Sequence, residues 1–355
     1  GVFFEGPFEL AMRACLHLRT ASKVLLLLGE FRVRHEQDVY DAVRSLPLNL
    51  WFGPDHTICV RSHAPDRAFR NSHFLSLRIK DAIVDHLRER YGRRPSVDTQ
   101  SPDIEVIAHV DRGAATLYLG MQGAPLNQRG YRKMQTEAPL KESLAASLLA
   151  FSGWDRQRPM LDPVCGSGTI AIEAALLASN RAPGLLRSFG FERWPRFDEQ
   201  LARCWAALRE EAQQAVGELA TPIRACDIDP QAIKAARVNA VQAGVGHCID
   251  FRHSDFAQLD WGEEPLEVLG NPPYGERLGA LKPRLAALHA KLGDKVRSIA
   301  GAGMTLISVP ELLRQTHLKP DARLAVFNGP LRCEMARYAI RADAAVIRLA
   351  TGEQS

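Results

Sequence analysis

Leu161-Asp162-Pro163-Val164-Cys165-Gly166-Ser167-Gly168-Thr169 is the stretch that decides the fold. It joins the end of a short apolar strand, Met160–Asp162, to an Ala- and Leu-rich helix expected over Thr169–Ala178. The glycines let the backbone approach a ligand closely, with N–H groups aimed outward at a helix start. Gly166-x-Gly168-x-x-Ala171 also fits the dinucleotide fingerprint, so the turn alone would equally suit a nicotinamide cofactor or a turn with no ligand. Two features favour another ligand. Asp162-Pro163 puts a carboxylate where a cationic amino group could be held, and the next acidic position, Asp227, lies far beyond the roughly 20 residues of the dinucleotide pattern.

Outward from this turn, strand and helix alternate. Strands are expected at Ile223–Ile228, Ile249–Arg252, Leu266–Leu269, Met304–Val309 and Ala322–Phe327, with Glu334–Ile340 as a last strand. Helices are expected at Asp229–Ala243, Leu281–Ala300 and Pro310–Gln315. Asp229 at the N-cap, Pro230 in the first turn and Gly244 past the end mark the first of these. The alternation implies a mostly parallel, doubly wound α/β sheet. Residues 180–220 read as an insertion, an irregular Pro/Arg/Trp segment followed by a helix near 198–217; its Arg181, Arg187, Arg193 and Arg196 with Trp194 combine cations with a ring, a set suited to a nucleic acid.

Carboxylates recur at the strand ends. In Cys226-Asp227-Ile228-Asp229 the roles divide: Asp229 caps the helix and Asp227 accepts hydrogen bonds from ribose hydroxyls. Asp255-Phe256 after the third strand could frame an adenine. Asn271-Pro272-Pro273-Tyr274 follows the fourth strand, and its prolines stiffen the turn. A carboxamide oxygen and a proline carbonyl can both accept from one planar amino group, while the ring offers a stacking face. Such acceptors favour the pyramidal, nucleophilic form of an exocyclic amine and stabilise its positive charge as it attacks a sulfonium methyl.

The front of the chain has a different texture. Phe8–Arg19 has helical spacing, Lys23–Leu28 is strand-like, and Asp38–Ser45 is a short amphipathic helix that Pro47 ends. Residues 61–94 hold nine Lys/Arg against four Asp/Glu, whereas the net charge of the whole chain is +4. Composition alone allows a solvated helix face there, over Ser76–Arg90, or a phosphate-binding surface. Ile104–His109 and Thr116–Gly120 form a hairpin through Asp-Arg-Gly. Residues 121–136, polar and Gly-rich, read as a linker, followed by a helix over Glu137–Phe151.

The 355 residues, 46% hydrophobic and 24% charged, exclude a disordered, collagenous or coiled-coil chain. The apolar run Val24–Leu28 is far too short to span a bilayer. Seven cysteines without a Cys-x-x-Cys pair point to reduced thiols and to no metal site. No signal-peptide pattern opens the chain, so a cytoplasmic protein is expected. Gly1-Val2-Phe3-Phe4 reads like the inside of a strand, which leads us to expect a chain cut at its front.

Taken together, the chain resembles the THUMP-domain RNA methyltransferases, above all the bacterial 23S rRNA guanine-N2-methyltransferase branch. The resemblance runs through Leu18–Val24, Ile79–Asp85, Arg94–Asp98, Arg129-Gly130-Tyr131-Arg132, Ala138–Glu142, Asp162–Thr169, Asn271–Leu278 and Asn328–Leu331. It implies a class I, Rossmann-like methyltransferase sheet with a final antiparallel strand. Before that sheet would come an α+β THUMP domain and part of a ferredoxin-like piece. The implied boundaries are 1–50 for the ferredoxin-like region, 51–125 for the RNA-binding THUMP domain, 126–150 for linker and connecting helix, and 151–345 for the methyltransferase domain with its 180–220 insertion. The implied cofactor is S-adenosylmethionine, held by Asp162, Cys165, Gly166, Ser167, Gly168, Asp227, Ile228, Asp255, Phe256 and Asn271. Asn271, Pro272, Pro273 and Tyr274 would be catalytic, and Lys80, Arg93, Arg94, Arg129 and Arg132 would meet rRNA phosphates. Ala138–Lys141 would pack over the cofactor. The chain departs from its relatives at Gly120-Met121-Gln122-Gly123 and at Leu126-Asn127-Gln128, and no second, fused methyltransferase domain is expected after Ser355.

Three other readings compete with guanine-N2 transfer. One keeps the fold and changes the target to tRNA guanine or adenine-N6, because the Asn-Pro-Pro-Tyr tetrad also occurs in adenine-N6, cytosine-N4 and glutamine methyltransferases. Another is a non-enzymatic RNA-binding protein with a vestigial pocket. The last is a nicotinamide dehydrogenase, resting on the glycine match alone.

Overall fold

Pro7 sets the start of α1 (Phe8–His17), which buries Met12, Cys15 and Leu16 on one face. β1 (Leu25–Arg32) and α2 (Glu36–Ser45) follow. Asp38 in the first turn of α2 reaches back to accept the Arg34 N–H at 2.7 Å. β2 (Thr57–His63) leads to α3 (Ser72–Tyr91), the helix of the basic stretch. Asn71 caps α3 by accepting the Phe74 N–H, and Gly92 ends it in the left-handed conformation. Leu75, Ile79, Ala82, Ile83 and Leu87 form its buried stripe, so the helix begins four residues earlier than its periodicity predicts. β3 (Ser96–Val97), β4 (Ile104–Asp111) and β5 (Ala114–Gly120) complete the region, the last two as the expected hairpin. These strands form one sheet in the order β1-β5-β4-β2-β3, antiparallel except where β2 lies parallel to β3 and β4.

The second half adds α4 (Glu142–Ser152), β6 (Met160–Asp162) and α5 (Thr169–Ala178), the last with its expected bounds. Next come α6 (Glu199–Gln214), β7 (Ile223–Asp227), α7 (Pro230–Gln242), β8 (Ile249–His253) and β9 (Glu267–Gly270). α8 (Lys282–Arg297), β10 (Gly303–Ser308), α9 (Pro310–Leu313), β11 (Ala322–Asn328) and β12 (Leu331–Ala339) are the last elements among the described residues. The seven strands run β11-β12-β10-β9-β6-β7-β8. β12 is antiparallel to both neighbours, and the pairs among β6 to β10 are parallel. Apolar clusters cover both faces, one built around α4, α5 and α7 and one around α8, as a doubly wound sheet requires. The order reverses beside β6, so the carboxyl ends of β6, β7 and β9 surround a topological switch point.

The computed structural model describes residues 1–65, 69, 71–135, 139–274 and 282–341. Ala138, Arg67, Arg70 and the Gly275-Glu276-Arg277-Leu278 part of the resemblance lie outside the described residues. Among the described residues no helix is long and apolar enough to cross a membrane.

The molecule divides into two compact units: residues 1–126 with 187–214, and residues 127–186 with 215–355. This changes two expectations. The heart of the insertion belongs with the front of the chain instead of the doubly wound sheet. Its Phe189, Phe191, Trp194 and Trp205 are buried, and burial of four large rings needs an apolar surface. α1 and Trp51 supply part of it: Phe8 meets Phe191 at 6.2 Å, and Trp51 meets Trp194 at 5.7 Å. Arg187, Arg193 and Arg196 are engaged within the same unit, whereas Arg181 falls in the second. Arg187 donates to the Pro125 and Gln122 carbonyls, Arg193 pairs with Asp103 at 2.9 Å, and Arg196 lies over the Trp51 ring.

The second change concerns the expected linker over 121–136, whose described residues, 121–135, are not free. Met121 and Gln122 are fully buried, the Met121 N–H donates to Val24, and the Leu126 N–H donates to Ser22. Residues 127–135 pack into the second unit, with Tyr131 buried there.

Candidate active site

The turn after β6 is pinned to the end of β7. The Cys165 N–H donates to the Cys226 carbonyl at 2.9 Å, and the Gly166 N–H donates to Asp227 Oδ2 at 2.8 Å. Gly166 and Gly168 both have positive φ, +52° and +84°. A Cβ on Gly168 would stand 2.9 Å from the Ala236 Cβ on α7, so sterics and backbone conformation both demand glycine there. Asp227 Oδ1 accepts the Asp229 N–H at 3.0 Å, while Asp229 accepts the Gln231 N–H as the cap of α7.

Asp162 is fully buried at the end of β6. Its Oδ1 accepts a long bond from the Val164 N–H, and its Oδ2 is buried with no hydrogen-bond partner among the described residues. Burial pushes its carboxyl well above the usual range, and the charge of Asp227 adds to the effect. A buried carboxylate oxygen without a donor is costly, and a cationic amine would remove that cost. Cys165 also lies in the turn, and burial raises its thiol well above its ordinary value, which disfavours the thiolate a nucleophile would need.

A cavity of about 300 Å³ opens beside this edge. Asp227, Ile228, Asp255 and Phe256 all line it, so the structure brings together four of the sequence-predicted ligand residues. Ile228 is 70% exposed, unusual for an isoleucine and suited to covering a flat ring. Asp255 Oδ1 is already used by the Ala257 N–H. Phe256 is buried and packs on Trp261 at 6.3 Å, which makes it wall more than stacking surface. Arg284, Leu288 and Lys291 of α8 also line it, and no sequence signal singled them out.

Asn271-Pro272-Pro273-Tyr274 leaves the end of β9, between β6 and β10. Asn271 Oδ1 is buried and has no hydrogen-bond partner among the described residues. Pro272 is buried, Pro273 exposed and Tyr274 half-buried against the core. The Tyr274 hydroxyl accepts from Asn328 Nδ2 at 3.0 Å, which fixes the ring from the β11 side. Burial raises its phenol above the ordinary range, so the ring is neutral.

The strip before α4 braces the glycine turn. Arg132 donates to Glu142 at 2.9 Å, to Ser167 Oγ and Thr169 Oγ1 at 3.1 Å, and to the Leu140 carbonyl at 3.0 Å. Asn239 of α7, fully buried, accepts the Lys133 and Met134 N–H groups and donates to the Ser167 carbonyl at 3.2 Å. The signal for Asn239 was a polar residue on the Ala-rich buried stripe of α7. Two RNA assignments fall here. Arg129 is 2% exposed and lies 3.5 Å from Glu173, itself fully buried, and Arg132 spends its donors inside the protein, so neither faces a phosphate.

The remaining basic candidates sit in the first unit. Lys80 and Arg94 line a polar hollow of about 930 Å³, shared with Arg78 and Arg88. Lys80 pairs with Asp81 at 2.8 Å. Arg93 is exposed and pairs with Asp55.

Comparison with known proteins identifies the family. Residues 129–337 match the family model described as RMKL-like, methyltransferase domain; residues 33–120 match the THUMP domain, and 1–25 an RlmL ferredoxin-like domain. The chain is 40% identical over 366 residues to a ribosomal RNA large subunit methyltransferase K/L of Aeromonas salmonicida, covering 97% of this chain and 50% of that protein. The chain thus spans about half the length of that relative. A predicted N6-adenine-specific DNA methylase from Listeria monocytogenes superposes with a TM-score of 0.82 at 29% identity, covering 94% of this chain and 86% of that one. SMU.472, crystallised in complex with SAH, superposes with a TM-score of 0.82 at 26% identity, over 95% and 89% of the two chains. With the family model covering more than half of its length, the chain belongs to the RMKL-like methyltransferase-domain family.

Proposed function

We propose that the chain transfers a methyl group from S-adenosylmethionine to the exocyclic N2 amine of a guanine in large-subunit (23S) rRNA. The observation that carries this reading is the Asn271 carboxamide oxygen, buried at the mouth of the switch point without a partner among the described residues. The relative named as a large-subunit rRNA methyltransferase supports the substrate, and SMU.472 with its SAH supports the cofactor.

The residues present fit that cofactor. Asp162 Oδ2 lacks a donor and suits the amino group of the methionine end. Gly166 and Gly168, both at positive φ, fold the Gly166-Ser167-Gly168 backbone into a tight turn at the start of α5, open to the methionine end. Asp227 suits the ribose hydroxyls, and Ile228, Asp255 and Phe256 bound a cavity for the adenine. When bound, S-adenosylmethionine supplies an electrophilic methyl group. Asn271 Oδ1 and the Pro272 carbonyl accept the N–H protons of the target amine. They favour the pyramidal nitrogen with its lone pair available, and stabilise positive charge as it develops there. Tyr274, held through its hydroxyl, stacks on the base and aligns the nitrogen. The methylated nitrogen is acidic, so no strong side-chain base is needed. Lys80, Arg93 and Arg94 serve RNA phosphates in the first unit, where the polar hollow gathers four cationic side chains. An rRNA substrate places the protein in the cytoplasm, in keeping with seven free cysteines.

The second reading is adenine-N6 transfer, favoured by the shared Asn-Pro-Pro-Tyr tetrad and by the name of the Listeria neighbour. Methyl incorporation from labelled S-adenosylmethionine into large-subunit rRNA lacking the mark tests the proposal. Incorporation lost in Asn271→Ala supports it; no incorporation by the unaltered chain overturns it.

A further inference from the structure

The last hairpin carries side chains that the site as described does not use. β11 is the edge strand of its sheet and joins β12 through Gly329-Pro330, so the tip is a short, stiff turn. β11 runs parallel to β10, which puts its carboxyl end at the same sheet edge as Asp162 and Asn271. At that end stands Phe327, 69% exposed, the one exposed Phe, Tyr or Trp among the described residues of the second unit. Directly across the ladder is Arg332, also exposed, which enters none of the ion pairs among the described residues.

Side chains alternate along a strand. Asn328 therefore points to the face that holds Tyr274, and Phe327 with Arg332 points to the other. A base stacked on Tyr274 thus lies on the face turned away from Phe327, which leaves Phe327 for a base beside it in a splayed strand. An aromatic face next to a guanidinium matches one nucleotide: the ring takes the base, and the cation takes its phosphate.

We propose that Phe327 and Arg332 form a subsite for the nucleotide flanking the target amine in single-stranded RNA. This rests on the RNA methyltransferase reading above. The subsite sets which sequence is modified and how long the RNA stays, and it leaves the cofactor untouched.

The test compares the unaltered chain with Phe327→Ala, Phe327→Trp, Phe327→Leu and Arg332→Ala. Methylation kinetics use an rRNA fragment lacking the mark; fluorescence anisotropy uses a labelled single-stranded RNA oligonucleotide; calorimetry uses S-adenosylhomocysteine. Phe327→Ala is expected to raise KM and the oligonucleotide Kd about tenfold, with kcat and the S-adenosylhomocysteine Kd unchanged. Phe327→Trp restores binding and Phe327→Leu does not. Arg332→Ala lowers the slope of log Kd against log salt by about one. An unchanged KM and oligonucleotide Kd in Phe327→Ala, or rescue by leucine as good as by tryptophan, overturns the subsite. If the unaltered chain shows no turnover, the methyltransferase reading fails, and the anisotropy series still decides the subsite.

Discussion

The Gly166 N–H donates to Asp227 Oδ2 at 2.8 Å, so the carboxylate proposed for the ribose also holds the turn proposed for the methionine end. One side chain at the end of β7 thereby shapes the pocket of its neighbour strand. Asp227→Ala removes this acceptor and that of the Asp229 N–H together. Hydrogen bonds to a charged group are worth about 1.5–3 kcal/mol, so the S-adenosylhomocysteine Kd should rise by about 10- to 100-fold. Calorimetry checks this; an unchanged Kd would remove Asp227 from the cofactor site.

Asn271 gives the complementary case. Its carboxamide oxygen has no partner to lose among the described residues, so Asn271→Ala should leave the fold intact. Removal of one preorganised acceptor at the reacting nitrogen should lower kcat by about 10²- to 10³-fold. Steady-state methylation and a thermal melt together check it. A near-normal kcat would dismiss the catalytic assignment.

Arg129 and Arg94 separate burial from RNA contact. Arg129→Met leaves the fully buried Glu173 without its cation, which should cost about 3–5 kcal/mol of stability. The salt dependence of RNA binding should not change. Arg94→Ala should lower the salt slope by about one and leave the melting temperature alone. Denaturant melts and RNA titrations over a salt series read both; the reverse pattern would restore Arg129 to the RNA surface.

Glu267 predicts a pH dependence of stability. It begins β9, mostly buried, with its carboxyl so close to Gly303 that a Cβ there would clash. Burial pushes this carboxyl up to about 7 from an ordinary value of 4.5, against the pull of Arg158 and Arg337. The folded chain therefore keeps a proton that the unfolded chain has released. Stability falls as pH rises from about 4.5 to about 7, then levels off. Glu267→Gln should raise the melting temperature at about pH 8 and change it little at about pH 5. An equal change at both would place the carboxyl's titration elsewhere.

Local chemistry explains what was legible in the sequence. Asp229, Pro230 and Gly244 bracket α7, and apolar runs between glycine and proline punctuation mark the strands, so the sheet could be read before its order was seen. The acidic strand ends and Asn271-Pro272-Pro273-Tyr274 were visible because their residue types are rare in that combination. What stayed hidden depends on distant partners. Arg129-Gly130-Tyr131-Arg132 looks like an exposed basic patch until Glu173, Glu142 and Ser167 are brought to it. The aromatic segment 187–214 gives no sign of which unit will bury its rings. Asn328 becomes informative only once β11 is laid beside β12 and its amide reaches Tyr274.

The central claim is the identity of the methylated atom. The direct measurement is nucleoside mass analysis of large-subunit rRNA, lacking the mark, after incubation with this chain and S-adenosylmethionine. The account predicts N2-methylguanosine. A product of N6-methyladenosine, or no methylated nucleoside at all, would contradict it.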